Sequence, residues 1–89
     1  MYRIEWTKKF EKQLEKLGEN AAKQILKYLH HNIDGTDNPR VIGKELKGNR
    51  KGQWRYRTGN YRIICEIQDE KLIVLALETG NRKNIYRTM

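Results

Sequence analysis

Between Gly48 and Arg62 arginines and aromatic residues interleave: Gly-Asn-Arg-Lys-Gly-Gln-Trp-Arg-Tyr-Arg-Thr-Gly-Asn-Tyr-Arg. Trp54 and Tyr56 alternate with Arg55 and Arg57, which on an extended strand puts rings on one face and guanidinium groups on the other. Gly59-Asn60 is a two-residue turn signal with glycine first, as a type II′ turn requires. Thr58 is therefore expected opposite Tyr61, and Arg57 opposite Arg62. Like charges facing each other weaken a strand pair by a few tenths of a kcal/mol, and an anion held between them reverses that loss. Arginine grips phosphate through paired N–H donors and stays charged near neutral pH. Such a set suits phosphate binding. It also suits stabilisation of the pentavalent phosphorane formed when the 2′-hydroxyl of RNA attacks its own phosphodiester, a reaction that needs no protein nucleophile. A solvated strand face that only binds an acidic partner is the other reading of the same residues.

Other chemistries find little support. The chain has no Ser, so a Ser-His-Asp triad is excluded. Gly43-Lys44-Glu45-Leu46-Lys47-Gly48 has the glycine spacing of a P-loop, but Asn49 stands where the phosphate-binding Lys is needed. His30 and His31 are neighbours on a helical segment and cannot share one face; with a single Cys there is no metal-ligand spacing, so no metal or cofactor is expected. Cys65 alternates in phase with Ile63 and Ile67 and reads as a small core hydrophobe. A lone cysteine fits a reducing cytoplasm. No apolar segment follows Met1, so no secretory signal is expected. The longest apolar run, Leu72 to Leu77, is far short of the ~20 residues of a membrane span.

A formal net charge of +8 on 89 residues points to a polyanionic partner. The charge is concentrated: from Arg40 to Arg62 there are eight basic residues (Arg40, Lys44, Lys47, Arg50, Lys51, Arg55, Arg57, Arg62) and one acid, Glu45.

The elements that must position these residues form one domain, residues 1–89. Tyr2, Ile4 and Trp6 alternate as a short first strand. Thr7 is placed to cap a helix reaching about Leu17, with Phe10, Leu14 and Leu17 on its apolar stripe, and Gly18 stops it. A second helix, from about Asn20 to Asn32, carries Ala22, Ile25, Leu26 and Leu29, then Ile33. Asp34 to Gly52 is a long connection rich in glycine, with Leu46 as its anchor toward a core. Three strands follow: Gln53–Thr58, Tyr61–Gln68 and Lys71–Glu78. The last is apolar on both faces and belongs in the interior of a sheet; Gly80 is expected to end it. The helices should cover the face with Trp54, Tyr56, Ile63 and Cys65, leaving the face with Arg55, Arg57 and Arg62 open. The fold class is α+β: an N-terminal strand and an αα-hairpin on one face of a small, mainly antiparallel sheet, in the order β-α-α-β-β-β with a short tail.

That order, with Leu46-Lys47-Gly48, Gly52-x-Trp54-Arg55-x-Arg57, Gly59-x-Tyr61-Arg62, an apolar strand and Gly80-x-Arg82-x3-Tyr86, resembles the RelE/ParE superfamily of bacterial toxins over nearly the whole chain. Within it, the chain looks closest to the RelE-like mRNA interferases. The resemblance implies the toxin half of a type II toxin–antitoxin system, cutting mRNA in the ribosomal A site without metal and leaving a 2′,3′-cyclic phosphate and a 5′-hydroxyl. Catalysis would fall to Arg57, Arg62, Arg82 and Tyr86. Arg62 would hold the transition-state phosphate, Arg82 would serve the leaving group, and Tyr86 would stack on or orient a base. Lys44, Lys47, Arg50, Lys51, Arg55 and Lys83 would contact RNA or ribosome. Arg57 stands where relatives often have Lys as the proposed base. Glu45 lies one position out of register with a glutamate used by some relatives. Implied partners are a RelB-like acidic antitoxin, the ribosome with its mRNA, and operator DNA only through the antitoxin complex. A ParE-like gyrase inhibitor on the same fold is the alternative.

Overall fold

Thr7 sets where the first helix begins. It is extended (φ −85°, ψ 165°), and its Oγ1 accepts from the Phe10 N–H at 3.1 Å while donating to the Leu77 carbonyl at 3.0 Å. One hydroxyl thus caps the helix and docks it on the sheet. In the computed structural model, which describes residues 1–81, β1 is Arg3–Trp6 and α1 is Lys8–Leu17. Gly18, at φ 97°, breaks α1 from α2, Glu19–Asn32. Among the described residues no helix is long and apolar enough to cross a membrane.

The sheet has five strands: β1, β2 (Lys44–Glu45), β3 (Gln53–Thr58), β4 (Tyr61–Gln68) and β5 (Ile73–Asn81), ordered β1-β5-β4-β3-β2. β1 runs parallel to β5 and every other pair is antiparallel. The apolar third strand expected from sequence is β5, and it is interior. It continues through Gly80 to Asn81, because the ladder to β4 overrides the weak strand preference of glycine: Gly80 pairs with Arg62 and Asn81 with Tyr61. β1 stops beside Ala76, and α1 then lies along β5, where Gln13 Oε1 accepts the Thr79 N–H at 2.8 Å.

Phe10, Leu14, Ile25, Leu29 and Ile33 from the helical side meet Tyr56, Ile63, Cys65, Val74 and Ala76 from the sheet. Burial pushes the Cys65 thiol well above its ordinary value, as suits a core residue.

The connection after α2 is seated by contacts that sequence did not reveal. Pro39 is fully buried and Leu46 only partly so, which makes Pro39 the anchor. Tyr56 Oη donates to the Pro39 carbonyl at 2.5 Å, and Trp54 Nε1 donates to the Ile42 carbonyl at 2.8 Å. Two rings of β3 therefore hold the segment that leads into β2. Arg40 closes its other end, donating from both Nη atoms to Asp69 at 3.0 Å each. These hydrogen bonds hold the Asp69 carboxyl below its usual range.

Tyr56→Phe should remove the donor from a buried carbonyl at a cost of about 1–3 kcal/mol. For a domain of this size that is a fall of several degrees in thermal midpoint, measurable by circular dichroism.

Candidate nucleic-acid interface

Period-two alternation delivers the cationic face. With Trp54 and Tyr56 turned to the helices, Arg55 and Arg57 turn away from them, and the hairpin register does the rest. Thr58 pairs with Tyr61 and Arg57 with Arg62, as the Gly59-Asn60 turn requires; Gly59 has φ 57°. β2 adds a residue from the segment expected to be a long connection: Lys44 pairs with Arg55, which pairs with Ile64, which pairs with Glu78. Across the sheet there are thus two adjacent rows on one face: Arg57–Arg62–Gly80, and Lys44–Arg55–Ile64–Glu78.

This face is less open than expected. Arg57 is exposed, but Arg62 is only 2 % exposed and Ile64 likewise 2 %. One reason is position: both lie on β4, the middle strand of five, with β3 and β5 on either side. Another is a strap of ion pairs. From the 3₁₀ turn Gly48–Arg50, before β3, Arg50 reaches Glu78 on β5 with Nη2 to Oε2 at 2.5 Å. β4 lies between those strands, so the pair crosses the middle of the sheet. Arg50 Nη1 also donates to Gln53 Oε1 at 3.2 Å. From the edge, Lys9 of α1 reaches the other oxygen of Glu78 at 3.4 Å. Burial works against the charge on Glu78, but the Arg50 hydrogen bond and the two cations outweigh it and hold the carboxyl below its ordinary value.

The sequence cluster of eight basic residues therefore divides in space. Lys44, Arg55, Arg57 and Arg62 share the two rows. Lys47 and Lys51 are exposed on either side of the 3₁₀ turn. Arg50 is engaged with Glu78, and Arg40 with Asp69 at the β4–β5 turn, the opposite end of the sheet from Gly59-Asn60. Glu45 pairs with Trp54 and so shares the face of the rings. Arg82, Lys83 and Tyr86 lie outside the described residues. Lys9 and Glu78 were not singled out from sequence. The available signal was only that Glu78 is the one acid in the apolar strand: alternation puts it in phase with the core residues Val74 and Ala76, and the register shift opposite Ile64 and Cys65 turns it to the face away from the helices.

Chemically, the face offers bidentate donors at its centre, single-point cations at its rim, and a carboxylate beside them. That arrangement fits a phosphodiester backbone laid across the strands.

Known proteins share this sequence pattern and fold. Residues 4–86 match the family model described as "ParE toxin of type II toxin-antitoxin system, parDE". The chain is 27% identical over 86 residues to Toxin RelG of Mycobacterium tuberculosis, covering 97% of each. It is 25% identical over 83 residues to the mRNA interferase toxin RelE of Escherichia coli, covering 92% of this chain and 84% of that one. Its fold is similar to the toxin–antitoxin complex RelBE2 of M. tuberculosis, with a TM-score of 0.82 at 25% identity over 91% of each chain. It also resembles the isolated E. coli RelE toxin, with a TM-score of 0.71 at 20% identity over 100% of each chain.

Proposed function

The chain belongs to the family of ParE toxins of type II toxin–antitoxin systems, within the RelE/ParE superfamily, and from that premise we propose that it is a ribosome-dependent endoribonuclease of the RelE kind. Its substrate is mRNA in the ribosomal A site. The 2′-oxygen of one nucleotide attacks the adjacent phosphorus and gives its proton to water, and the P–O5′ bond breaks as the 5′-oxygen takes a proton back, so that protons balance. The products are a 2′,3′-cyclic phosphate and a 5′-hydroxyl, the 5′-oxygen having taken up a proton. The observation that carries this reading is the Arg57–Arg62 pair, two guanidinium side chains held directly opposite each other on the face away from the helices.

Arg62 is assigned the non-bridging oxygens of the phosphorane, where added negative charge is strongest. Arg57 flanks it. Arg55, Lys44, Lys47 and Lys51 track the neighbouring phosphates. Arg82 serves the leaving oxygen, Tyr86 stacks on a base and Lys83 adds a contact; these three roles come from the family resemblance alone. Guanidinium groups supply charge but accept no proton at neutral pH. Chemistry on this face therefore depends on how well the RNA is pre-aligned, which is what a ribosome supplies. The inhibitor is a RelB-like acidic antitoxin that covers the same cationic face, and operator DNA is reached only through that complex. The relatives from Escherichia coli and Shigella flexneri are named as mRNA interferases, which supports this reading over gyrase inhibition.

Mapping mRNA 5′ ends after a brief pulse of expression tests it. New 5′-hydroxyl ends in register with the A-site codon, made only when ribosomes are present, are expected. Induction of the DNA-damage response without new mRNA ends would overturn the proposal in favour of gyrase.

A further inference from the structure

Glu78 is the one carboxylate in the two cationic rows. Three elements converge on it: α1 through Lys9, the 3₁₀ turn through Arg50, and β5, which carries it. Its neighbours are a planar fork and an ammonium, the donor set that would otherwise take the oxygens of a phosphate. The carboxylate sits where such an anion would sit. Its register partner, Ile64, is two residues from Arg62 on β4. That makes Glu78 and Arg62 diagonal neighbours, with α-carbons about 7–8 Å apart.

We propose that Glu78 is a built-in competitor for RNA phosphate: it occupies Arg50 and Lys9 so that free RNA meets a weakened cationic face, while a strand held in place by the ribosome still meets the exposed Arg57, beside Arg62. The inference rests on the RNA-binding reading above and deepens it by naming a residue that sets discrimination. A phosphate that arrives unaided must displace the carboxylate to gain the Arg50 fork. A phosphate positioned by another particle starts from the exposed Arg57 and Lys44 and need not displace the carboxylate. Glu78 is thus a specificity-determining residue that acts through Arg50, not a group that touches the reacting atoms.

The test is binding of a short labelled oligouridylate to the full chain across a salt series. Glu78→Gln should tighten binding at low salt by roughly 3–10-fold and steepen the slope of log K against log salt by about 0.7 for each cation released to the strand. Glu66→Gln is the charge-matched control. Glu66 lies on the same face, where among the described residues its carboxylate accepts from Gln68 and not from Arg50, so its loss changes net charge equally without freeing Arg50. Its effect should be clearly smaller. Adding Arg50→Gln should cost more slope in the Glu78→Gln background than in the wild-type chain. Glu78→Thr, β-branched and suited to a strand, repeats the test with a side chain too short to hold Arg50, and thermal melts accompany each variant. Equal effects of Glu66→Gln and Glu78→Gln, or an Arg50→Gln effect independent of background, would overturn the inference while leaving the RNA reading standing. Absence of salt-dependent binding in both the wild-type chain and Glu78→Gln would overturn the RNA reading itself.

Discussion

Arg62→Ala is expected to slow cleavage of ribosome-bound mRNA by about 10²–10³-fold, the loss seen when a donor to a developing oxyanion is removed. The size follows from where the residue sits. Arg62 is only 2 % exposed, so its charge is screened less than that of the exposed Arg57. Its register partners are Arg57, which is exposed, and Gly80, which has no side chain. If the contact is made mainly in the transition state, kcat and kcat/KM should fall together. Arg55→Ala should instead act mainly on KM, because its row contacts the flanking backbone. Arg62→Lys keeps a charge but loses the fork, and should fall between Arg62→Ala and wild type. A side chain this buried also packs, so a thermal melt of the variant separates a loss of fold from a loss of chemistry. Translation arrest at the wild-type rate by a folded Arg62→Ala variant would remove Arg62 from the site.

The parts of this arrangement that sequence disclosed are those with local causes. The hairpin register was legible because Gly59-Asn60 fixes it within four residues, and Arg57 and Arg62 follow by counting. Both helices were legible from Thr7, Gly18 and the spacing of Phe10, Leu14, Ile25 and Leu29. The parts that were hidden have distant causes. β2 is two charged residues, Lys44 and Glu45, with no alternation to read. It exists because Trp54 and Tyr56 pin the chain at Ile42 and Pro39. The strap was hidden for the same reason. Nothing near Glu78 in the chain announces Arg50 or Lys9, and an acid near the end of an apolar strand reads as an ordinary surface residue. The uncovered face thus looked like a plain stripe of cations, whereas it is a stripe with its own counterion.

The second large effect is expected at Gly43, which has no polar side chain and lies outside the cationic rows. Gly43→Ala should destabilise the protein by about 2–5 kcal/mol, combining left-handed backbone strain with overpacking. Gly43 has φ 83°, and a Cβ there would stand 2.5 Å from the Arg55 carbonyl oxygen, 2.6 Å from Trp54 Nε1 and 2.9 Å from Tyr56 Cδ1. Two of the three obstacles cannot yield. The carbonyl belongs to the β3 backbone, and Tyr56 is fully buried. Relief must come from moving the loop away from β3, which strains the Trp54–Ile42 hydrogen bond and draws Lys44 from beside Arg55. Thermal midpoint should fall by about 10 °C or more, and RNA affinity should fall with it in whatever fraction remains folded. Gly59→Ala is the informative contrast. Its φ of 57° is similarly left-handed, but the obstacle is the amide end of Gln24, a flexible and exposed side chain. It should therefore cost the backbone strain of a side chain at the first position of this turn without the overpacking, and so less than Gly43→Ala. If the two variants melt together, the Pro39–Gly43 segment is not seated against β3, and Lys44 loses its place in the cationic row.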